Sequence, residues 1–101
     1  MTSYKVTDAQ DLLNEIYELS DKDENDLAID ILFEAIDDSF LLGDFISVDN
    51  LITSADIEKL NSYTAVGILS ITLAAKEHLY HRAQFLEKAK EKYGEHLFNG
   101  L

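Results

Sequence analysis

Not one proline interrupts the 101 residues, and from Ala9 to Tyr93 apolar side chains recur at spacings of three and four. That spacing places them on one face of an α-helix, whereas a half-buried strand needs strict alternation. No useful run of alternation occurs. Absence of proline also removes the residue that most often breaks helices and shapes the turns of β-sandwiches. The expected fold class is all-α: a single small domain over residues 1–101, with four to five helices packed as helical hairpins. A domain of this length has a radius of gyration of roughly 13 Å and room for one core.

Thr7 and Gln10 have the spacing of a capping box, with Asp8 and Asp11 where a helix N-terminus favours anions. The first helix is therefore expected from Asp8 to Ser20, on Leu12, Leu13, Ile16, Tyr17 and Leu19. The polar run Asp21 to Asn25 reads as its connection to a second helix, Asp26 to Leu42. At about 100° per residue, Ala28, Ile29, Ile31, Leu32, Phe33, Ala35, Ile36 and Phe40 cover an arc of about 200°. So wide an apolar arc implies a central helix with more than one neighbour, stopped by Gly43. Asp44 can cap a third helix holding Phe45, Val48, Leu51 and Ile52, and Asn61 or Ser62 can cap a fourth. Gly67 lies inside that fourth helix, where glycine costs about 1 kcal/mol relative to alanine unless it admits a close neighbour. An unbroken helix from Ser62 to Tyr93 would be about 48 Å long, too long for this domain. A break is expected near Lys76 to Tyr80, and a stop at Gly94.

Charge divides the chain. Residues 1–50 hold 14 acids against Lys5 and Lys22, residues 51–101 six of each sign, and the net charge is −12. The late bases are Lys76, Arg82, Lys88, Lys90 and Lys92. Direct binding to nucleic acid is disfavoured, because phosphates call for a basic face, and anionic membrane surfaces are disfavoured for the same reason. The longest charge-free stretch, Leu60 to Ala75, has 16 residues and several polar ones. A spanning helix needs about 20 mainly apolar residues, so no membrane segment is expected. Met1 to Gln10 lacks the basic start and apolar run of a secretory signal. A cytoplasmic protein is the resulting expectation.

Few residues suggest catalysis. Cysteine is absent, which removes thiolate zinc sites and cysteine nucleophiles. None of the serines, from Ser3 to Ser70, lies in a glycine-flanked elbow, and no glycine-rich phosphate loop occurs. Asp21, Asp23 and Asn25 match the first ligands of a calcium loop, but the sixth and twelfth positions hold Asp26 and Leu32 in place of glycine and glutamate. His78 and His81 could share a helix side, with no third ligand for zinc in the spacing. No cofactor and no enzymatic activity are expected.

One feature costs stability as it stands. Asp26, Asp30, Glu34, Asp37 and Asp38 share an arc of about 120° on the second helix with no base among them. Asp26 to Asp30 and Asp30 to Glu34 are like-charge pairs at i,i+4, each unfavourable by about 0.2–0.5 kcal/mol. The expected function is a small acidic, non-catalytic protein-interaction module: an adaptor, regulator or inhibitor. It would dock these five residues on a basic surface of a protein partner, one version being a charge mimic of nucleic acid. Two alternatives are self-association through Leu97, Phe98 and Leu101 or the basic last helix, and a metal-assisted enzyme using His78 and His81.

Overall fold

The structure, a computed structural model, describes residues 5–101. The start of the Met1 to Gln10 segment, with Ser3, lies outside the described residues. Among those described, helical periodicity becomes five α-helices and no strand: α1 (Ala9–Asp21), α2 (Asn25–Leu41), α3 (Phe45–Ser54), α4 (Ser62–Ile71) and α5 (Arg82–Tyr93). Short 3-10 segments lie at Val6–Asp8, Ile57–Lys59, Leu73–His78 and Glu95–Phe98. The class is all-α, and of the consecutive helices α1 packs on α2, α2 on α3 and α4 on α5, whereas α3 packs on α1, α2 and α5 instead of on α4. The Cα radius of gyration is 12.4 Å. No helix among the described residues is long and apolar enough to cross a membrane.

The helix ends follow from local chemistry. Asp44 accepts the Ser47 N–H at 3.1 Å and caps α3. Hydrogen bonding from Ser47 holds its carboxyl below the usual carboxylate range. Asn61, rather than Ser62, caps α4 by accepting the Thr64 N–H at 2.9 Å. Gly43 and Gly94 follow α2 and α5 with φ of 73° and 104°, conformations that glycine adopts without Cβ strain. The capping box does not form. Thr7 lies within the first 3-10 turn, α1 has no side-chain cap, and Gln10 Nε2 instead donates to Asn14 Oδ1 at 2.9 Å.

As its wide apolar arc implies, α2 is central, packing against α1, α3 and α4. Ala28, Leu32, Ala35 and Ile36 are buried in a core shared with Leu12, Leu13 and Ile16 of α1 and Ile68 and Leu69 of α4. Phe33 departs from the expected arc. It sits at the arc's edge, and the structure leaves it 56% exposed. Gly67 meets its expected reason: a Cβ built there would stand 1.9 Å from Ile29 Cδ1 of α2. A methyl group at position 67 would therefore displace Ile29.

The expected break between α4 and α5 begins earlier than Lys76, at Thr72. The Thr72 hydroxyl bonds the Ile68 carbonyl at 2.7 Å, occupying an acceptor near the helix end. Arg82 then returns from beyond the break. Its Nη2 donates to the Leu69 carbonyl at 2.6 Å and its Nε to the Thr72 hydroxyl at 3.0 Å. Orphan carbonyls at a helix end need such partners when buried.

Candidate functional site

The outer face of α2 is built by two demands on one helix. Its apolar arc turns inward to three neighbours, so whatever occupies the opposite arc is held rigidly outward. Asp26, Asp30, Glu34, Asp37 and Asp38 are all exposed there. Asp26 has an internal partner, since the Tyr63 hydroxyl donates to its Oδ1 at 3.1 Å. That bond, with the carboxylate's charge, raises the Tyr63 pKa. Among the described residues, no ion pair or side-chain hydrogen bond engages Asp30, Glu34, Asp37 or Asp38.

The face is not purely charged. At about 100° per residue, Leu27 and Leu41 fall within the acidic arc and Phe33 at its border. All three are exposed, Leu41 by 78%, and Leu42 beyond the helix end is exposed as well. Asp26, Asp30, Glu34 and Asp38 form an unbroken i,i+4 ladder of like charge, and Asp37 and Asp38 stand near the C-terminal end, where the helix dipole disfavours anions. A surface of this kind can attract cations at long range and offer apolar contact at short range.

The other sequence-derived candidates are absorbed into the fold. Asp21, Asp23 and Asn25 lie at a tight turn in which the Lys22, Asp23 and Glu24 N–H groups bond to the Glu18, Ser20 and Leu19 carbonyls. Asn25 Oδ1 accepts from Asn61 Nδ2 at 2.6 Å. That amide also reaches the Ser20 carbonyl, so the polar run ties the α1–α2 turn to the start of α4. His78 and His81 do not converge. His78 stacks on Phe45 with ring centroids 4.3 Å apart. His81 Nδ1 lies 2.6 Å from Asp49 Oδ2, and its backbone N–H donates to Asp49 Oδ1 at 2.9 Å. Among the described residues no three metal-ligating side chains gather.

Asp49 was missed by pattern reading, although a signal for it exists. It follows Phe45 by four residues and precedes Ile52 by three, which places an acid on the buried stripe of α3. There it is 7% exposed. Arg82 carries the same signal on α5, sharing a face with Phe85, Leu86, Ala89 and Tyr93. Counted above with the late bases, it is in fact 4% exposed, and its Nη1 donates to the Leu101 carbonyl at 2.6 Å. Burial lowers its pKa. Two other late bases are engaged: Lys90 with Glu87 at 3.7 Å and Lys92 with Glu58 at 3.1 Å.

The apolar C-terminal trio is corrected too. Phe98 is 1% exposed and packs near Tyr93, with ring centroids 6.4 Å apart. Gly94 lets the chain turn back, so Glu95–Phe98 lies against α5 and Phe98 completes the core. Leu101 is partly buried, and only Leu97 remains exposed.

Comparison of the chain with protein-family models, with characterised proteins and with solved structures gives no match.

Proposed function

We propose that this chain is a non-catalytic interaction module of the cytoplasm that docks the outer face of α2 on a basic surface of a protein partner. The observation that supports the reading is the rigid exposure of Asp26, Asp30, Glu34, Asp37 and Asp38 on one helix face, four of them without a partner among the described side chains. Their mutual repulsion costs folding free energy, and a basic surface would convert that cost into attraction. The partner surface can be one that otherwise receives nucleic acid, since the same lysines and arginines serve both. Direct contact with nucleic acid or an anionic membrane runs against the net charge of −12.

The test replaces the five acids by Asn and Gln. A partner is first captured with the wild type from a lysate of the source cell, and its binding to both forms is then measured at low and moderate salt. The neutralised form should associate more slowly and with a weaker salt dependence, because charges at an interface rim steer encounter. Equal affinity and equal salt dependence for the two forms would refute the proposal.

A further inference from the structure

Helices α2 and α4 approach closely at Gly67, and beside the contact lies a trough of about 430 Å3. Its lining is Ile29, Ser62, Tyr63, Val66, Gly67 and Leu97. Ser62 and the Tyr63 hydroxyl are its only polar side-chain groups, and that hydroxyl is committed to Asp26. Tyr63 and Leu97 are exposed, as is Phe33, one turn beyond Ile29 on α2. Single exposed apolar residues are ordinary, but two of them, Tyr63 and Leu97, border this one concavity and with it mark a place of contact. One edge of the trough is the margin of the acidic α2 face, where Asp26 stands one turn before Ile29 and accepts from the Tyr63 hydroxyl, with Asp30 farther round the helix. An occupant therefore meets an apolar floor and an acidic wall together.

We infer that this trough receives a basic amphipathic helix of the partner. A large apolar side chain of that helix sits on Ile29, Val66 and Leu97, and lysines or arginines one turn away face Asp26 and, beyond it, the rest of the acidic α2 face. The inference rests on the function proposed above and adds an apolar anchor to it. Steering by charge gives encounter rate, whereas a buried anchor gives residence. Apolar and basic residues at spacings of three and four are what a helix presents to such a trough. A second copy of this chain suits the site poorly. It brings a like charge of −12, which opposes its approach to an acidic face.

The probe is a random-peptide phage library panned against the folded wild-type protein. Selected peptides should combine Lys or Arg with Leu, Phe or Tyr at helical spacing. Binding of a selected peptide is then titrated against the wild type, Val66→Ser with Leu97→Ser, and the five-acid neutralised form, each first shown to be folded by circular dichroism. The trough variant should lose at least about tenfold in affinity and keep its salt dependence. The neutralised form should lose the salt dependence and still require the peptide's apolar residue. Leu97→Ser alone, at the exposed rim, replaces the double variant if that fails to fold. Basic peptides that need no apolar residue and bind the trough variant as well as the wild type would overturn the trough and leave the α2 face standing. Apolar peptides with salt-independent binding would overturn both. Failure to select any peptide would overturn the trough.

Discussion

On α2, Asp30, Glu34, Asp37 and Asp38 stand in solvent and make no ion pair among the described residues, Lys5 only sharing a hollow with Asp38. At the junction of α3, α4 and α5, Asp49 and Arg82 are buried with their hydrogen bonds made. The same kinds of side chain thus serve two ends. A buried charge is tolerated only with partners, because desolvation must be offset, and removing a partner leaves an expensive orphan. An exposed charge is tolerated with none, and its removal from a like-charged ladder relieves strain. Substitutions at the junction should therefore destabilise the protein, while those on α2 should stabilise it slightly and change what it binds.

The largest effect is expected at Arg82. Arg82→Ala removes the donors to the Leu69 and Leu101 carbonyls and to the Thr72 hydroxyl, together with the packing of the side chain's stem. Loss of about 3–5 kcal/mol follows, a large part of the roughly 5–15 kcal/mol stability of an ordinary domain. Urea unfolding of the two forms measures it. A loss of under about 1 kcal/mol, the range of an exposed ion pair, would erase the contrast between the two regions.

Next comes Asp49. Asp49→Ala deprives the His81 N–H and ring of their acceptor, at about 2–3 kcal/mol. Asp49→Asn keeps one oxygen for the backbone N–H and should cost about half as much. The gap between the two variants in denaturant midpoint separates the backbone bond from the ring contact. Were Asp49→Asn as damaging as Asp49→Ala, the contact with the His81 ring would outweigh the bond to its N–H.

How far the sequence reveals these two regions depends on whether a residue's role is local. The order of the helices, the Asp44 cap, the Gly43 and Gly94 stops and the close approach at Gly67 were readable, since each follows from neighbours within a turn or from the apolar period, whereas the α4 cap stayed open between Asn61 and Ser62 and the end of α4 was placed too late. Phe98 was misread because its burial depends on a chain reversal after Gly94. His78 and His81 are three apart in sequence, yet their partners, Phe45 and Asp49, lie on another helix. Asp49 and Arg82 left a trace that composition hides: a charged residue on an apolar stripe. Charge counts treat it as surface, whereas the helical period marks it as internal. The acidic face of α2 was legible residue by residue. Leu27 and Leu41 fall in the same arc by the same helical count, a signal that went unused, whereas the trough beside it was not legible, because exposure there depends on which neighbouring helix fails to cover an apolar residue.

The smallest effect tests the α2 side of the contrast. Three like-charged i,i+4 pairs link Asp26, Asp30, Glu34 and Asp38, and two acids oppose the helix dipole, so their repulsion amounts to about 1–3 kcal/mol at low salt. Salt screens exposed charges over a Debye length of about 10 Å at 0.1 M. The melting temperature of the wild type should therefore rise from low to moderate ionic strength. The neutralised form should start higher at low salt and rise less, so that the two curves converge. Opposing this are the ion pairs Lys22–Glu18, Lys90–Glu87 and Lys92–Glu58, which salt weakens. Each has a well-exposed glutamate, so solvent screening leaves it little weight. They lie off the acidic face, so their salt response is common to both forms and drops out of the difference. A melting temperature that falls with salt in both forms, with a constant gap between them, would show that the acids on α2 do not repel one another appreciably. Their exposure would then cost nothing, and the cost-based argument for a basic partner would be lost.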